Sequence, residues 1–337
     1  MIQSIISRLR FVVFVVMLSA ALITFADPAN SSGSGINDLL KARRIVFLGD
    51  SITYGGEYVE FVEAYLRMTY PDFKGELLDL GLPSETVSGL SEPGHAGGAF
   101  PRPDLHERLG RVLKKTRPDL IFACYGMNDG IYYPFSEERF AKFKDGIVRL
   151  RNRAAASKAK IIILTPPTFD ALPIKEHTLP AGLAEYRQPF EGYNRVLDSY
   201  STWLLSQRTN GWPVVDAHGP MNRFLAEQRR DHPNFLLAGD GVHANTQGNW
   251  IIAREILRFL GAPENVTAAD DSSELSKLSK NGPEILKLVQ RRQRLLKDAW
   301  LTETGHLRPG MNKGKPLADA QKQADEIELQ LQTLTSR

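Results

Sequence analysis

Cysteine is almost missing from this chain, which has one such residue, Cys124, among 337. A single thiol can form neither an intramolecular disulfide nor a thiolate cluster that binds a metal. The sequence therefore excludes a disulfide-stabilised scaffold. The apolar neighbours of Cys124 predict that its side chain is a small buried hydrophobic group.

A large excess of charge of one sign is also missing. The chain has 42 Lys and Arg against 39 Asp and Glu, a formal net charge of +3. Without Arg8 and Arg10, near the N-terminus, this charge falls to +1. Such a chain has no strong global field to attract nucleic acid or acidic lipid, and we expect neither as a partner.

Long apolar runs are missing except near the N-terminus, where Arg8 and Arg10 precede the run 11–26. This run is shorter than the ~20 residues of a typical membrane-spanning helix. We interpret residues 1–26 as a cleaved signal peptide, with an uncleaved membrane anchor as the alternative. The interpretation predicts a secreted or periplasmic protein with no stable membrane span after cleavage. Residues 27–40, rich in Pro, Asn, Ser and Gly, predict a flexible leader.

Predicted strands and amphipathic helices alternate through the middle of the chain. The apolar runs that predict strands are residues 45–48, 76–80, 119–124, 160–164 and 213–216. The helical patterns are residues 59–66, 104–115, 136–153, 190–207 and 246–260. This alternation predicts a parallel sheet with helices on both faces, whose ligands bind at the carboxyl ends of the strands. Residues 88–103, rich in Gly and Pro, predict a long loop at that edge.

A serine follows the first predicted strand directly. The strand 45–48 is ended by Gly49 and Asp50, and Ser51 precedes a helical pattern. A hydroxyl on such a turn projects beyond the strand, and its own N–H lies near a helix N-terminus. Ser51 is therefore the candidate nucleophile. The alternative is an ordinary helix-capping turn.

Asp240 and His243 lie three residues apart in a turn before a predicted helix. This spacing lets the carboxylate orient one ring nitrogen while the other takes the proton of Ser51. His218 is a weaker candidate base, because no carboxylate stands beside it in a comparable turn. The charged residues 229–231, ahead of this turn, predict a solvated surface loop.

Three groups could stabilise an oxyanion at the same edge of the sheet. They are the backbone N–H groups of Ser51 and of the turn at Ser84, and the side-chain amide of Asn128. Asn128 lies in the sequence Gly-Met-Asn-Asp-Gly, so its alternative role is that of a turn former.

Three segments together resemble the SGNH (GDSL) hydrolase superfamily. They are Gly-Asp-Ser-Ile-Thr at 49–53, Gly-Met-Asn-Asp at 126–129 and Asp-Gly-Val-His at 240–243. The resemblance covers about residues 44–262. It implies a flavodoxin-like three-layer α/β/α sandwich with a parallel central sheet. It also implies a nucleophile at Ser51, a base at His243 and the oxyanion donors named above.

The second conserved segment of that superfamily usually carries a glycine, but this chain has Ser84 where the glycine is expected. Because the contribution comes from a backbone N–H, a serine can still provide it if its dihedral angles allow. Gly81 and Gly89 are the alternative positions.

Four further residues are candidates for contact with substrate. Tyr132 and Tyr133 could stack on a sugar ring, although packing is the more frequent role of such a pair. His95, in the glycine-rich loop, could line the pocket or stand in solvent. Asp50, beside the nucleophile, is the fourth.

The C-terminal part of the chain looks like an addition to a hydrolase domain at 41–262. Residues 263–283 are polar and predict a linker. Residues 284–337 carry two amphipathic patterns that predict a helical extension. We expect this pair of helices to pack on the hydrolase domain, with dimerisation as the alternative, and we see no chemistry in it.

The resulting hypothesis is a secreted serine esterase that forms an acyl-enzyme. We expect it to need no metal or organic cofactor. Export and the absence of a long apolar lid favour O-deacetylation of a carbohydrate. The alternative within hydrolases is a lysophospholipase or small-ester acyl hydrolase. The alternative outside them is a non-catalytic carbohydrate-binding protein on a hydrolase scaffold.

Overall fold

A computed structural model describes residues 35–181, 183 and 188–335. The predicted signal peptide and residues 27–34 of the predicted leader lie outside this part of the chain. The strands are β1 Arg44–Gly49, β2 Glu76–Asp79, β3 Leu120–Cys124, β4 Lys160–Leu164 and β5 Val214–Val215. The helices are α1 Gly35–Lys41, α2 Ser51–Gly55, α3 Glu57–Thr69, α4 Leu105–Thr116, α5 Glu137–Ala156, α6 Tyr193–Ser206, α7 His218–Asp231, α8 Thr246–Leu260, α9 Glu264–Thr267, α10 Ser273–Ser276, α11 Gly282–Thr304 and α12 Leu317–Thr335.

The strands form one parallel sheet in the order β2-β1-β3-β4-β5. The register pairs Gly49 with Cys124 and Cys124 with Leu164, so the carboxyl ends of the three central strands lie side by side. Strands β1 and β3 are buried almost throughout, as expected of a parallel sheet covered on both faces. The predicted α/β fold with a parallel central sheet is confirmed.

Helices around the sheet pack on one another through aromatic contacts, and their buried side chains share one hydrophobic cluster with the strands. Phe61 of α3 meets Trp250 of α8 edge-on, with ring centroids 5.8 Å apart. Phe143 of α5 stacks on Tyr200 of α6 at 4.5 Å. Cys124 is 3% exposed, which confirms its predicted burial. The hydrophobic core is therefore continuous from the helices into the sheet.

Two segments, one predicted to be a flexible leader and the other a linker, are instead packed. Residues 35–41 form helix α1, whose Leu39 is fully buried, so the predicted leader is wrong for this stretch. The predicted linker 263–283 contains α9 and α10, and its Val266 and Leu275 are fully buried. Trp250 also donates a hydrogen bond of 2.9 Å to the carbonyl of Ala269. A few buried apolar side chains are enough to hold a largely polar segment in place.

The charged residues 229–231 lie in the last turn of helix α7, so the predicted surface loop is wrong. Met221, Phe224 and Leu225 form the buried stripe of this helix at a spacing of three and four residues. Arg229 donates to the carbonyl of Phe235 at 3.0 Å and to a carboxylate oxygen of Asp170 at 2.5 Å. These contacts tie α7 to the loops at the carboxyl edge of the sheet.

The C-terminal helices α11 and α12 pack on the part of the chain that carries the sheet, as expected. Glu63 of α3 is fully buried and accepts hydrogen bonds from Arg67 at 3.2 Å and from Arg292 of α11 at 3.1 Å. Arg67 also donates to Glu328 of α12 at 2.7 Å. The buried ion pairs specify how the two helices dock, because either cation without its partner would be costly. Dimerisation stays a prediction. Within the described residues, no helix combines the length and apolar character needed to cross a membrane.

Candidate active site

The nucleophile candidate stands at the junction of β1 and α2. Asp50 caps α2, because its Oδ1 accepts a hydrogen bond of 2.9 Å from the N–H of Ile52. At Gly49 a Cβ would lie 2.0 Å from the hydroxyl of Thr53 and 2.8 Å from the carbonyl oxygen of Cys124. Glycine at this position therefore allows the strand to turn tightly into the helix that carries Ser51.

Ser51, His243 and Asp240 form a continuous hydrogen-bonded chain, although 192 residues separate the serine from the histidine. His243 Nε2 lies 2.7 Å from Ser51 Oγ, and His243 Nδ1 lies 2.6 Å from Asp240 Oδ2. Because a carboxylate only accepts, Nδ1 carries the hydrogen, and Nε2 is left to accept from the serine. This is the arrangement in which an imidazole can take the proton of a nucleophilic hydroxyl.

The loop that carries Asp240 and His243 is held by its own backbone. Asp240 Oδ1 accepts from the N–H of Val242 at 3.0 Å and from the N–H of His243 at 2.8 Å. Gly241 has φ 79°, and a Cβ there would lie 2.4 Å from the carbonyl oxygen of Asp170. Partial burial by itself raises the pKa of Asp240, but the hydrogen bonds from His243 and Val242 outweigh it and hold this pKa below its usual value. The carboxylate is therefore charged and able to stabilise an imidazolium.

Ser84 has φ 69°, a left-handed conformation that glycine adopts most easily. This accounts for the glycine expected there in the resembled superfamily, and the serine adopts the same conformation. The N–H of Gly81 donates to Asp79 Oδ1 at 2.9 Å and is already used. Gly89 also has a positive φ, but it lies beside Asp104. Ser84 is next to Glu85, which contacts Asn128, so Ser84 is the best placed of the three candidates.

Asn128 is 3% exposed, and its amide is held on both sides. Its Nδ2 donates to the carbonyl of Glu85 at 3.1 Å. Its Oδ1 accepts from Arg102 Nη1 at 3.0 Å and from Tyr132 Oη at 3.2 Å. Asn128 thus connects the Ser84 turn to the glycine-rich loop, which goes beyond the role of a turn former.

A buried ion pair between Arg108 and Glu85 stabilises the turn at Ser84. Arg108 of α4 donates to both carboxylate oxygens of Glu85, at 2.6 and 2.7 Å, and Tyr125 donates to the same carboxylate at 2.7 Å. Glu85 is fully buried and Arg108 is 1% exposed. Burial alone would lower the pKa of Arg108, but the Glu85 carboxylate outweighs it and the pKa is raised. The guanidinium therefore stays charged and the turn stays anchored.

A cavity of about 860 Å³ has Arg102, Tyr132 and Tyr133 in its wall. Two of these residues, Arg102 and Tyr132, donate hydrogen bonds to Asn128. Tyr132 stacks on Tyr193 with ring centroids 4.8 Å apart, so it has a packing role as well as a position in the cavity wall. The guanidinium of Arg139 lies over the ring of Tyr133 at 5.5 Å. Both tyrosines line this cavity, and their contact with a sugar ring stays a prediction.

Two substrate-contact candidates have supporting roles instead. Asp50 is 3% exposed, and its carboxylate caps α2, so the expected contact with substrate is replaced by a structural role. His95 packs edge-on against Phe100, and its Nδ1 lies 3.3 Å from Glu92 Oε1. Its side chain is 11% exposed, so the expectation of a solvent-exposed histidine is wrong.

His218 is excluded as the base by its partners. It is 4% exposed, its Nδ1 lies 3.1 Å from the carbonyl of Pro166, and its Nε2 lies 2.8 Å from Asp198 Oδ1. The carboxylate missing from its own turn is supplied by helix α6. Both ring nitrogens are occupied, and neither contacts Ser51.

The C-terminal extension reaches helix α2, which carries Ser51, a contact that the sequence did not reveal. Lys297 of α11 donates to the carbonyl of Tyr54 in α2 at 2.7 Å, and its ammonium lies 4.0 Å from the centre of the Tyr54 ring. The Tyr54 hydroxyl donates to Asp298 at 3.0 Å. Helix α11 therefore helps to hold α2, and with it Ser51.

Within the described part of the chain, no group of three or more His, Cys, Asp or Glu side chains is arranged to hold a metal ion.

Residues 47–251 match the GDSL-like lipase/acylhydrolase family, and the chain belongs to this family of ester hydrolases. This places it in the SGNH hydrolase superfamily. One relative is an acetylxylan esterase from Geobacillus stearothermophilus, 25% identical over 238 residues, which cover 65% of this chain and 94% of that enzyme.

Solved structures with similarity to this chain include an acetylxylan esterase from Geobacillus stearothermophilus, with 21% identity and a TM-score of 0.48. That match covers 66% of this chain and 95% of the other. Another is a gut microbial diltiazem-metabolizing enzyme, with 20% identity and a TM-score of 0.49. The match covers 65% of this chain and 47% of that enzyme.

Proposed function

We propose that this protein is an exported serine esterase that removes acetyl groups from a carbohydrate through an acyl-enzyme. The observation that carries the proposal is the hydrogen-bonded chain Ser51, His243 and Asp240, with 2.7 and 2.6 Å between its members. Three side chains from two distant segments meet in the order that nucleophilic catalysis requires.

In the proposed reaction, Ser51 Oγ bonds to the ester carbonyl carbon while its proton passes to His243 Nε2. The carbonyl oxygen becomes an oxyanion, with the N–H groups of Ser51 and Ser84 and the amide of Asn128 as its donors. The C–O bond to the alcohol then breaks, and His243 returns the proton to the leaving oxygen. Water repeats the sequence on the acyl-enzyme and releases the acid and Ser51.

Two observations favour an acetylated carbohydrate as substrate. The cavity that Arg102 lines has two tyrosines in its wall, and aromatic rings provide flat faces on which sugar rings can stack. The curated relative at 25% identity is an acetylxylan esterase. A lysophospholipid or small-ester substrate remains the second candidate, because belonging to a lipase and acylhydrolase family is compatible with either.

The test compares acetate release from acetylated polysaccharides with hydrolysis of p-nitrophenyl esters of increasing acyl length. Ser51→Ala should lower kcat by roughly 10⁴-fold or more. The matched control is Ser206→Ala, since Ser206 is an exposed serine at the end of α6. Equal activity of the two variants would reject Ser51 as the nucleophile.

The same assay separates the substrates. Ser51-dependent acetate release from polysaccharide supports the carbohydrate substrate, whereas faster turnover of long acyl esters favours the lipid alternative. Absence of any Ser51-dependent hydrolysis favours the non-catalytic carbohydrate-binding protein. Sequencing the N-terminus of the mature protein tests the predicted cleavage after Ala26.

A further inference from the structure

The glycine-rich loop 88–103 returns a buried arginine to the candidate active site. Arg102 is 7% exposed at its side chain, and its backbone N–H donates to Ser91 Oγ at 2.9 Å. The loop is closed at its base, where the N–H of Thr86 donates to the carbonyl of Pro103 at 2.9 Å. Arg102 therefore has a defined position although the loop has little regular structure.

Glu92 of the same loop fixes the guanidinium of Arg102. Arg102 Nε donates to Glu92 Oε2 at 2.7 Å, and Nη2 donates to Oε1 at 2.8 Å. This bidentate pairing uses one edge of the planar group and directs the remaining nitrogen elsewhere. That nitrogen, Nη1, donates to Asn128 Oδ1 at 3.0 Å. The face of the guanidinium lies 5.3 Å from the ring centre of Tyr132.

These contacts allow one orientation of the Asn128 amide. An arginine can only donate, so the amide oxygen must face Arg102. The carbonyl of Glu85 can only accept, so the amide nitrogen must face Glu85. Rotating the amide by half a turn would oppose donor to donor and acceptor to acceptor. One Nδ2 hydrogen is used by Glu85, and the second has no partner among the described residues.

We infer that Arg102 is a positioning residue for ester hydrolysis, because its Nη1 hydrogen bond holds the Asn128 amide so that the second Nδ2 hydrogen meets the developing oxyanion. The cation also draws electron density toward Oδ1, which makes the Nδ2 hydrogens stronger donors. Glu92 contributes indirectly, because it orients the guanidinium of Arg102. This inference rests on the proposed function.

The decisive test is a double-mutant cycle with Arg102→Met and Asn128→Ala, measured on one acetyl ester that the wild-type protein hydrolyses. Asn128→Ala should lower kcat by about 10²–10³-fold. Arg102→Met should lower kcat by about 10–30-fold with little change in KM, since the oxyanion contact forms only in the transition state. In the Asn128→Ala background, Arg102→Met should have almost no further effect.

Arg111→Met is the matched control, because Arg111 also pairs with a glutamate through two hydrogen bonds but lies outside the cavity wall and outside the contacts of Asn128. It should leave kcat unchanged. Arg102→Lys keeps one donor for Oδ1 and should recover part of the lost kcat. If Arg102→Met does not fold, Arg102→Lys and Glu92→Gln complete the same cycle with smaller expected losses.

If Arg102→Met changes the kinetics, two results would overturn the inference. One is an equal loss of kcat from Arg102→Met with and without Asn128. The other is an effect on KM alone, which would make Arg102 a substrate contact. A wild-type protein without Ser51-dependent hydrolysis would instead reject the proposed function. An active wild type with an equally active Arg102→Met variant would reject only the role of Arg102.

Discussion

The acid–base half of the candidate site and its proposed oxyanion half are built in opposite ways. Asp240 and His243 share one short loop, and their side chains are 55% and 51% exposed. Asn128, Glu85 and Arg108 come from three separate segments and are 3%, 0% and 1% exposed. The comparison suggests that local backbone bonds suffice to orient the base. The oxyanion donors instead depend on the packing of the whole domain.

This difference follows from the work that each half has to do. A base must exchange its proton with substrate and water, which an exposed imidazole can do. An oxyanion donor is most effective where it is fixed in advance and water is excluded, because electrostatic interactions are stronger there. Loss of a group should therefore affect catalysis in the first half and both catalysis and stability in the second.

Asp240→Asn gives the largest expected effect in the exposed half. The amide no longer favours a hydrogen on Nδ1 and cannot stabilise the imidazolium, so kcat should fall by roughly 10³–10⁴-fold. Because the side chain is more than half exposed, the free energy of unfolding should change by less than about 1 kcal/mol. Steady-state kinetics and urea denaturation of the same preparation measure both quantities.

The control for this variant is Asp270→Asn, since the side chain of Asp270 is 75% exposed and lies 3.9 Å from Arg254. It should leave kcat unchanged. A wild-type kcat for Asp240→Asn would show that His243 needs no carboxylate partner, and a large loss of stability would remove the contrast between the two halves.

Arg108→Met tests the buried half. It leaves the Glu85 carboxylate in the core without its cation, so the free energy of unfolding should fall by roughly 3–5 kcal/mol. Arg111→Met is the matched control on the same helix, because Arg111 pairs with Glu107 but is 41% exposed. That variant should lose less than about 1 kcal/mol. Equal losses in urea denaturation would contradict the role assigned to the buried pair.

Asp50→Asn should give a smaller effect with a distinctive dependence on pH. Burial raises the pKa of Asp50 to about 7, although the hydrogen bond from the N–H of Ile52 by itself lowers this pKa. Between the unfolded value near 3.8 and about 7, the folded protein holds a proton that the unfolded chain releases, so this carboxyl lowers stability as the pH rises. Asparagine caps a helix equally well and carries no charge.

The variant should therefore be more stable than the wild type at pH 8, by an amount on the order of 2 kcal/mol, and the gain should shrink as the pH falls toward 4. Thermal or urea unfolding across this range measures the difference. A gain that grows toward acid pH would show that the charged form of Asp50 stabilises the fold.

Several parts of the site could be predicted because the residues that carry the chemistry stand next to recognisable local structure in the sequence. Ser51 follows a strand directly, and Asp240 and His243 share a turn, so the residue types alone suggested the chain of hydrogen bonds. Arg102 and Glu92 were missed because they lie among glycines and prolines, where no periodicity marks a partner. Their only signal was a pair of opposite charges within an otherwise poorly charged loop.

The errors in secondary structure have a similar cause. Helix α7 was missed because its buried residues Met221, Phe224 and Leu225 are few among polar ones. The segment 263–283 looked like a linker because its composition is polar, yet Val266 and Leu275 are fully buried. Composition averages over a segment, whereas packing depends on where each apolar side chain points.

The sequence by itself determined the parallel α/β sheet, the family and the three candidate residues of the hydrogen-bonded chain, because strand periodicity and short-range motifs are local properties. Only the tertiary structure decided that Arg102 faces the amide oxygen of Asn128, that Glu85 pairs with Arg108, and that α11 supports helix α2. These contacts join residues far apart in the chain, and their partners are selected by shape and charge in the folded domain.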